Sequence, residues 1–253
     1  MKKNYKITLQ YDGTRYDGWQ RQGNTDNTIQ GKLEAVLKKL AGAEVEIDGS
    51  GRTDAGVHAL GQVANFRLEE TIEDQQMTAA YVKDYLNRYL PEDIAVIQCE
   101  EVGERFHSRL NASKKTYVYH IEMSDKKDVF RRKYVYGMGK QLDVARMEEA
   151  AACLIGEHDF ASFMTGKKTK KSTVRTMDSV EIKVQGTELT ITYTANGFLY
   201  NMVRILTGTL IEVGLGKTRP GLVADILKAK DRQAAGYTAP AEGLFLKSVE
   251  YGE

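Results

Sequence analysis

The chain has 253 residues, 42% of them hydrophobic, which is enough for one or two ordinary domains with a sizeable apolar core. Three prolines, 9% aromatic residues and the lack of any run of about 18 to 20 apolar residues argue against a disordered chain and against a membrane span. The 36 Lys and Arg residues nearly balance the 35 Asp and Glu residues, so the net charge of +1 by itself argues against a nucleic-acid partner.

The first half of the chain alternates segments of strand and helix character. Alternating apolar residues predict strands at 6–11, 45–47, 62–66 and 94–97, and helical spacing predicts helices from residue 29 and from a start at 71–74. The order is therefore β-α-β-β-α-β. The N-terminus has the pattern of a strand and lacks the apolar core of a signal peptide, so we expect a soluble, cytoplasmic protein.

The second half repeats this order without repeating the sequence. Strands are predicted at 117–121, 180–184, 189–193 and 244–249, and helices are predicted after Asp143, over 198–213 and from Pro220. Two such patterns predict an α+β fold with two subdomains, 1–112 and 113–253. Each subdomain is expected to have an antiparallel sheet with helices on one face.

The predicted helix 198–213 carries one arginine on an otherwise apolar surface. Its apolar residues form a stripe at helical spacing, and Arg204 lies near the middle of the opposite arc. A charge on so apolar a helix is either solvated at the surface or paired with another group. The sequence leaves both interpretations open.

The densest polar segment is the connection at 48–62, which contains four glycines together with Arg52, Asp54 and His58. Glycine lets the backbone approach a ligand closely, and loops on a rigid sheet often carry function. The plainer interpretation is a glycine-rich turn in which Asp54 is a local cap. The segment contains no GxGxxG, P-loop or GxSxG motif. What remains is a lone carboxylate with basic neighbours, which would hold it ionised and suit it to act as a nucleophile or base.

Six motifs in chain order resemble the tRNA pseudouridine synthase A family. The connection reads Gly51-Arg52-Thr53-Asp54-Ala55-Gly56-Val57-His58-Ala59, and the other motifs lie at 10–22, 106–119, 156–163, 196–204 and 239–246. These matches run from near residue 10 to near residue 250. The resemblance therefore covers essentially the whole chain.

The resemblance implies the pseudouridine synthase fold with a catalytic cleft between the subdomains. It implies an isomerase that converts uridine to pseudouridine at positions 38, 39 and 40 of the tRNA anticodon stem-loop. Asp54 matches the catalytic nucleophile, and Arg204 matches the basic residue paired with it. Tyr117 matches the tyrosine that packs on the target base, and Arg52 matches an arginine associated with taking that base out of the stack. His58 is a candidate substrate-binding residue of the same motif.

The resemblance also implies a homodimer that uses no metal or organic cofactor. In agreement, the two cysteines and four histidines are scattered and show no metal-ligand spacing.

Two features depart from the family pattern. Asn65 stands where the pattern leads us to expect histidine. The segment 166–172 is richer in lysine than the family motif requires. It is either a solvated loop or a contact to the RNA backbone, and the candidate backbone contacts are Lys167, Lys168, Lys170, Lys171 and Arg175.

Two other functions compete with this hypothesis. A non-catalytic RNA-binding protein or tRNA chaperone is the main alternative, but it would not need Asp54, Tyr117 and Arg204 together. A hydrolase with Asp54 as its base is weaker, because no second carboxylate or metal ligand accompanies that residue.

The charge distribution removes the objection to a nucleic-acid partner. Residues 1–112 hold 14 Lys and Arg against 18 Asp and Glu, whereas residues 113–253 hold 22 against 17. A near-neutral total is therefore compatible with a basic RNA surface drawn mainly from the second half.

Overall fold

A computed structural model describes residues 2–69, 77–166 and 172–252 of the chain. Within these residues the strands are β1 (Lys2–Tyr11), β2 (Ile47–Gly49), β3 (His58–Glu69), β4 (Ile94–Val102), β5 (Ala112–Glu122), β6 (Tyr136–Gly137), β7 (Gly156–Asp159), β8 (Val174–Gln185), β9 (Glu188–Ala195) and β10 (Leu244–Tyr251).

The helices alternate with these strands. They are α1 (Ile29–Ala41), α2 (Ala79–Tyr89), α3 (Val144–Ala152), α4 (Met202–Gly214) and α5 (Leu222–Ala229). This mixture of helices with mostly antiparallel strand pairs confirms the predicted α+β class. Across the described ranges, no helix is long and apolar enough to span a bilayer.

The chain forms two compact units. The first comprises Met1–Ser113 and Leu246–Glu253, and the second comprises Lys114–Phe245. The sequence placed everything after residue 112 in the second subdomain, whereas the last residues belong to the first unit, where β10 hydrogen-bonds to β3. Periodicity identifies a strand, but its pairing partner depends on contacts that are distant in sequence.

In the first unit the strands are ordered β4-β1-β3-β10, and β2 pairs with β3. The central strand β1 is antiparallel to both of its neighbours, so Ile7 lies opposite Ala64 on one side and Cys99 on the other. Buried side chains alternate along β1, as expected for a sheet with one apolar face. Helices α1 and α2 complete the core with Leu33, Leu37, Val82 and Leu86, which are fully buried.

In the second unit the strands are ordered β5-β9-β8-β7, and the short β6 runs parallel to β5. Strand β9 buries every second side chain, from Leu189 to Ala195. Helix α4 is buried over most of its length. Asp143 caps α3 by accepting a hydrogen bond from the backbone N–H of Arg146, which confirms the predicted helix start.

The starts of two other predicted helices differ from the observed ones, and a third predicted start cannot be compared. The predicted helix start at 71–74 lies outside the described residues, and α2 begins at Ala79, capped by the Thr78 side chain. Helix α4 begins at Met202 rather than Phe198, because Asn201 has a φ of 61° and a left-handed residue cannot continue a right-handed helix. Helix α5 begins at Leu222, just after the predicted opening at Pro220.

Candidate active site

Asp54 lies at the first position of a tight turn in the connection between β2 and β3. The turn is closed by a hydrogen bond from the backbone N–H of Val57 to the carbonyl oxygen of Asp54, 3.1 Å long. Gly56 occupies the third position with a φ of 78°, a conformation that type II turns require and that glycine adopts without strain. The Asp54 residue is half-buried, and the hydrogen bond from Val57 fixes the backbone that carries its carboxylate.

The N-terminal motif at 10–22 lies against this connection. The backbone N–H of Trp19 donates to the carbonyl oxygen of Thr53 over 3.0 Å. The backbone N–H of Gly56 donates to the carbonyl oxygen of Tyr16 over 3.3 Å. Gly18 makes the close approach possible, since a Cβ there would lie 2.6 Å from the Thr53 oxygen. The motif at 10–22 and the motif at 51–59, which are distant in the sequence, thus pack against each other.

Buried polar side chains hydrogen-bond to Thr53 and to the neighbouring residues of the connection. The hydroxyls of Tyr11 and Thr53 are 2.8 Å apart, and both side chains are buried. Gln62 donates from Nε2 to the carbonyl oxygen of Gly51 over 2.9 Å and accepts at Oε1 from the Ser50 hydroxyl over 2.7 Å. Burial raises the pKa of the Tyr11 hydroxyl, so this group stays neutral and keeps its hydrogen bond at physiological pH.

His58 follows the turn at the start of β3 and is only 1% exposed. Its Nδ1 accepts a hydrogen bond from the backbone N–H of Gly13 over 3.1 Å. Gly13 is packed against the same turn, because a Cβ there would lie 1.9 Å from the carbonyl oxygen of Val57. His58 therefore joins β3 to the N-terminal motif behind the turn.

Arg52 is exposed, and its guanidinium is hydrogen-bonded to the side-chain amide of Gln20, which in turn contacts that of Gln30. Its Nε donates to Oε1 of Gln20 over 3.0 Å, and Nε2 of Gln20 donates to Oε1 of Gln30 over 2.7 Å. Gln30 lies in the first turn of α1. Asp54 and Arg52 thus lie in the connection between β2 and β3 of the first unit, and His58 is the first residue of β3.

Asn65, the departure from the family pattern, is a buried connector. Its Oδ1 accepts from the backbone N–H of Ser108 over 2.8 Å, and its Nδ2 donates to Oδ1 of Asn4 over 3.2 Å. The Ser108 hydroxyl in turn donates to the carbonyl oxygen of Asp48. These bonds tie the motif that begins at residue 106 to the strand that leads into the Asp54 connection.

Tyr117 lies on β5 of the second unit and is 6% exposed. It is directly opposite Tyr193 of β9, and its ring meets Phe198 edge-on with the ring centres 5.0 Å apart. Phe198 belongs to the motif at 196–204. The structure therefore brings this motif into contact with the one that contains Tyr117.

Arg204 lies in the first turn of α4 and is half-buried. Its Nε donates to the carbonyl oxygen of Ala239 over 2.7 Å, and its Nη1 donates to Oδ1 of Asn201 over 3.0 Å. Asn201 is itself fixed, because its Nδ2 donates to the Thr165 hydroxyl over 2.6 Å. The guanidinium is therefore hydrogen-bonded to neutral oxygens and is not fully solvated.

The arc of α4 that contains Arg204 is covered by the chain at 236–239. A Cβ on Gly208 would lie 1.9 Å from the carbonyl oxygen of Tyr237, so only glycine admits this segment. The backbone N–H of Ala239 donates to the carbonyl oxygen of Arg204 over 3.0 Å. The C-terminal motif thus positions the arginine from outside the helix.

Arg175 is half-buried at the start of β8. Its Nη1 donates to the carbonyl oxygens of Ser172 and Val174 at 3.0 and 2.6 Å, and burial lowers its pKa. The other candidate backbone contacts, Lys167, Lys168, Lys170 and Lys171, lie outside the described residues.

Sequence reasoning singled out the Asp54 connection but missed the residues that support it. Tyr11, Ser50 and Gln62 were not selected as functional, although all three are buried and polar. One signal was available, since Gln62 directly precedes the apolar residues Val63 and Ala64 in a predicted strand, and a buried polar residue needs a partner. Within the described ranges, no group of three or more His, Cys, Asp or Glu residues is placed to hold a metal ion.

Comparison with known proteins gives a consistent result. The family profile described as tRNA pseudouridine synthase matches residues 7–111 and 150–252. The chain is 51% identical over 248 residues to tRNA pseudouridine synthase A of Bacillus sp. (strain KSM-64), covering 98% of this chain and 99% of the relative. It is 49% identical to tRNA pseudouridine synthase A 2 of Bacillus anthracis, covering 98% of this chain and 99% of the relative. It is 45% identical to tRNA pseudouridine synthase A 2 of Clostridium perfringens, covering 98% of this chain and 100% of the relative. Identity of this degree over nearly the full length of both chains shows that the chain belongs to the tRNA pseudouridine synthase family.

Proposed function

We propose that this enzyme isomerises uridine to pseudouridine at positions 38, 39 and 40 of the tRNA anticodon stem-loop. The observation that carries the proposal is Asp54, a half-buried carboxylate on a closed turn within the family's motif. The name of the relatives, tRNA pseudouridine synthase A, supports the substrate class. The alternative, a non-catalytic RNA-binding protein, gives no reason for a carboxylate to be held by so much fixed backbone.

The reaction moves one bond of the nucleotide and leaves its composition unchanged. The bond between uracil N1 and ribose C1′ breaks, and a bond between uracil C5 and C1′ forms. C5 loses its hydrogen as a proton, and N1 gains a proton. We propose that ionised Asp54 starts the reaction by attacking either C1′ of the ribose or C6 of the uracil. After attack at C1′, the carboxylate leaves when C5 bonds to C1′. After attack at C6, it leaves when C5 loses its proton and the C5=C6 double bond re-forms.

The target base must leave its stack before Asp54 can reach it. Flipping a nucleotide out of a helix costs a few kcal/mol, which contacts to the extruded base must offset. We propose that the exposed Arg52 favours the extruded state and that Tyr117 packs against the uracil, where stacking contributes roughly 1 to 3 kcal/mol. Arg204 is proposed to supply the positive charge that keeps the catalytic carboxylate ionised. The interior position of His58 fits support of the turn better than contact with RNA.

Two further properties belong to the proposal. The enzyme is expected to be a cytoplasmic homodimer that acts on tRNA without an organic cofactor. Light scattering of the purified protein is expected to give twice the mass of one chain; a monomeric mass that persists when tRNA is added would contradict the dimer.

The direct test is release of the C5 hydrogen from tRNA that carries tritium at C5 of its uridines. The wild-type protein is expected to release one tritium for each pseudouridine formed. A matched tRNA with cytidine at positions 38, 39 and 40 is expected to release none. If the first tRNA releases no tritium and still binds, the non-catalytic alternative is correct.

The lysine-rich segment gives a separate prediction about binding. If Lys167, Lys168, Lys170 and Lys171 contact phosphates, replacing all four with glutamine makes the salt dependence of tRNA binding less steep. Each lost contact is expected to lower the slope of log affinity against log salt concentration by about 0.7 to 0.9. Binding measured from low to moderate salt gives this slope, and an unchanged slope would show that the segment is only solvated.

The buried network under the turn predicts the effect of Tyr11→Phe. This change removes one hydroxyl and leaves Thr53 without its 2.8 Å partner, so the free energy of unfolding is expected to fall by about 1 to 2 kcal/mol. Because Thr53 adjoins Asp54, kcat is expected to fall about tenfold, as small displacements of a catalytic group are costly. Urea titration and tritium release measure the two effects.

Tyr5→Phe is the matched control for this prediction. Tyr5 lies on the same strand, is fully buried and donates to the carbonyl oxygen of Met77 over 2.6 Å. Its replacement is expected to cost a similar amount of stability and to leave kcat unchanged. Equal losses of kcat in both variants would show that the network has no special relation to Asp54.

A further inference from the structure

The connection between β5 and β6 presents large apolar side chains to solvent. We define the Phe130 loop as residues 125–134, with the sequence Asp-Lys-Lys-Asp-Val-Phe-Arg-Arg-Lys-Tyr. Phe130 is 88% exposed, Val129 is 55% exposed and Tyr134 is 41% exposed. Neighbouring exposed residues of this size mark an interaction site more often than an isolated one does. None of the roles proposed above uses this loop.

Hydrogen bonds fix the backbone of the loop at Phe130, whose side chain is exposed. The Asp128 carboxylate accepts hydrogen bonds from the backbone N–H groups of Phe130 and Arg131 at 3.0 and 3.2 Å. The Arg131 side chain points back to the sheet, where it forms an ion pair with Glu188 and lies 3.9 Å from Glu122. The exposed ring is therefore held on an ordered turn, which reduces the entropy lost when a ligand binds.

The charges of the loop indicate what covers the ring. Five of its ten residues are basic and two are acidic. Arg131 is engaged with the sheet, and Arg132 donates from Nη1 to the carbonyl oxygen of Val129 within the loop. Lys126, Lys127 and Arg132 are all exposed and lie on either side of Phe130 in the sequence. An aromatic ring flanked by cations suits a single-stranded nucleic acid, because the ring stacks on a base and the cations contact phosphates.

We propose that the Phe130 loop is an additional RNA-binding site, separate from the Asp54 connection. In this site Phe130 stacks on an unpaired base of the tRNA, and Lys126, Lys127 and Arg132 contact the adjacent phosphates. The proposal rests on the proposed function only in taking tRNA as the RNA that is bound.

Other occupants fit the loop less well. A two-fold contact between copies through this loop would bring two basic clusters together, which is electrostatically unfavourable. An anionic membrane would also attract cations next to an aromatic ring. RNA is favoured because it is the substrate class that the family's name states, and the experiment separates these occupants.

The test compares equilibrium binding of unmodified tRNA across a range of salt concentrations. Phe130→Ala is expected to weaken binding by about 5- to 100-fold without changing the salt slope, because it removes stacking but no charge. The double variant Lys126→Gln with Lys127→Gln is expected to make the slope less steep by roughly 1.4 to 1.8. At saturating tRNA, kcat is expected to stay at the wild-type value in both variants.

Two matched variants control for the loss of an exposed ring or an exposed lysine elsewhere. Tyr89→Ala removes a ring that is 52% exposed on α2, and Lys39→Gln removes an exposed lysine on α1. Both are expected to bind tRNA like the wild type. Binding by Phe130→Ala that equals binding by Tyr89→Ala would overturn the proposal.

Two further outcomes would assign the loop to another occupant and overturn the proposal. One is a change of oligomeric mass in Phe130→Ala. The other is that the wild-type protein binds phosphatidylserine vesicles, that Phe130→Ala does not bind them, and that added tRNA does not compete with this binding. Failure of the proposed function is distinguishable from these results. A wild-type protein that binds tRNA through Phe130 but forms no pseudouridine would contradict the catalytic proposal alone.

Discussion

Asp54→Asn is expected to lower the rate of tritium release by roughly 10⁴- to 10⁶-fold, the loss seen when an enzyme's nucleophile is removed. Asparagine has nearly the same shape as aspartate, and a hydrogen bond between backbone atoms, from the Val57 N–H to the Asp54 carbonyl oxygen, closes the turn. The turn is therefore expected to persist in the variant. An amide carries no negative charge and cannot attack C1′ or C6, so the chemical step is lost while the fold is kept.

Binding separates the loss of chemistry from a loss of structure. Affinity for RNA comes largely from phosphate contacts, so Asp54→Asn is expected to bind tRNA within about tenfold of the wild type. Asp54→Glu keeps the charge but moves the carboxylate by one methylene, and it is expected to lose roughly 100-fold in kcat.

Asp84→Asn is the control for the loss of a carboxylate. Asp84 is exposed on α2, away from the 50–57 connection in the sequence, and its replacement is expected to leave tritium release at the wild-type rate. Release by Asp54→Asn at more than a tenth of the wild-type rate would contradict a nucleophilic role for Asp54.

The parts of the fold that depend on local pattern could be predicted from the sequence. Alternation identified β1 and β9, and the capping residue Asp143 identified the start of α3. Apolar spacing also identified α4, but it placed the start at Phe198 instead of Met202. The difference arises because Asn201 is left-handed, and side-chain bonds to Thr165 and Arg204 accompany that conformation. Periodicity contains no information about such contacts.

The candidate site also has one part that could be predicted from sequence motifs and another part that depends on contacts between distant segments. Its candidate residues were chosen because they lie in motifs that resemble those of the family, and their chemical roles stay predictions. The supporting contacts could not be predicted, because they join segments that are far apart in the sequence. Tyr11 meets Thr53 across 42 positions, and Gly13 meets His58 across 45. The residue types at these positions are ordinary, and only the fold reveals why they are needed.

Gly13→Ala tests the most crowded of these contacts and is expected to cost about 1 to 3 kcal/mol in the free energy of unfolding. A Cβ at this position would lie 1.9 Å from the carbonyl oxygen of Val57 and 2.6 Å from its carbonyl carbon. Both are backbone atoms, which cannot rotate away, so either the segment at Gly13 or the turn at 54–57 must move. A shift of about 1 Å at the turn is expected to lower kcat roughly 100-fold.

Gly23→Ala shows what the same substitution does where there is room. No atom lies within 4 Å of a Cβ at Gly23, so this variant is expected to keep the wild-type kcat and stability within about 0.5 kcal/mol. Urea titration and tritium release on both variants measure the difference. A Gly13→Ala protein that is destabilised but turns over at the wild-type rate would place the movement in the Gly13 segment. The Asp54 turn would then be rigid enough to hold its geometry without the N-terminal motif.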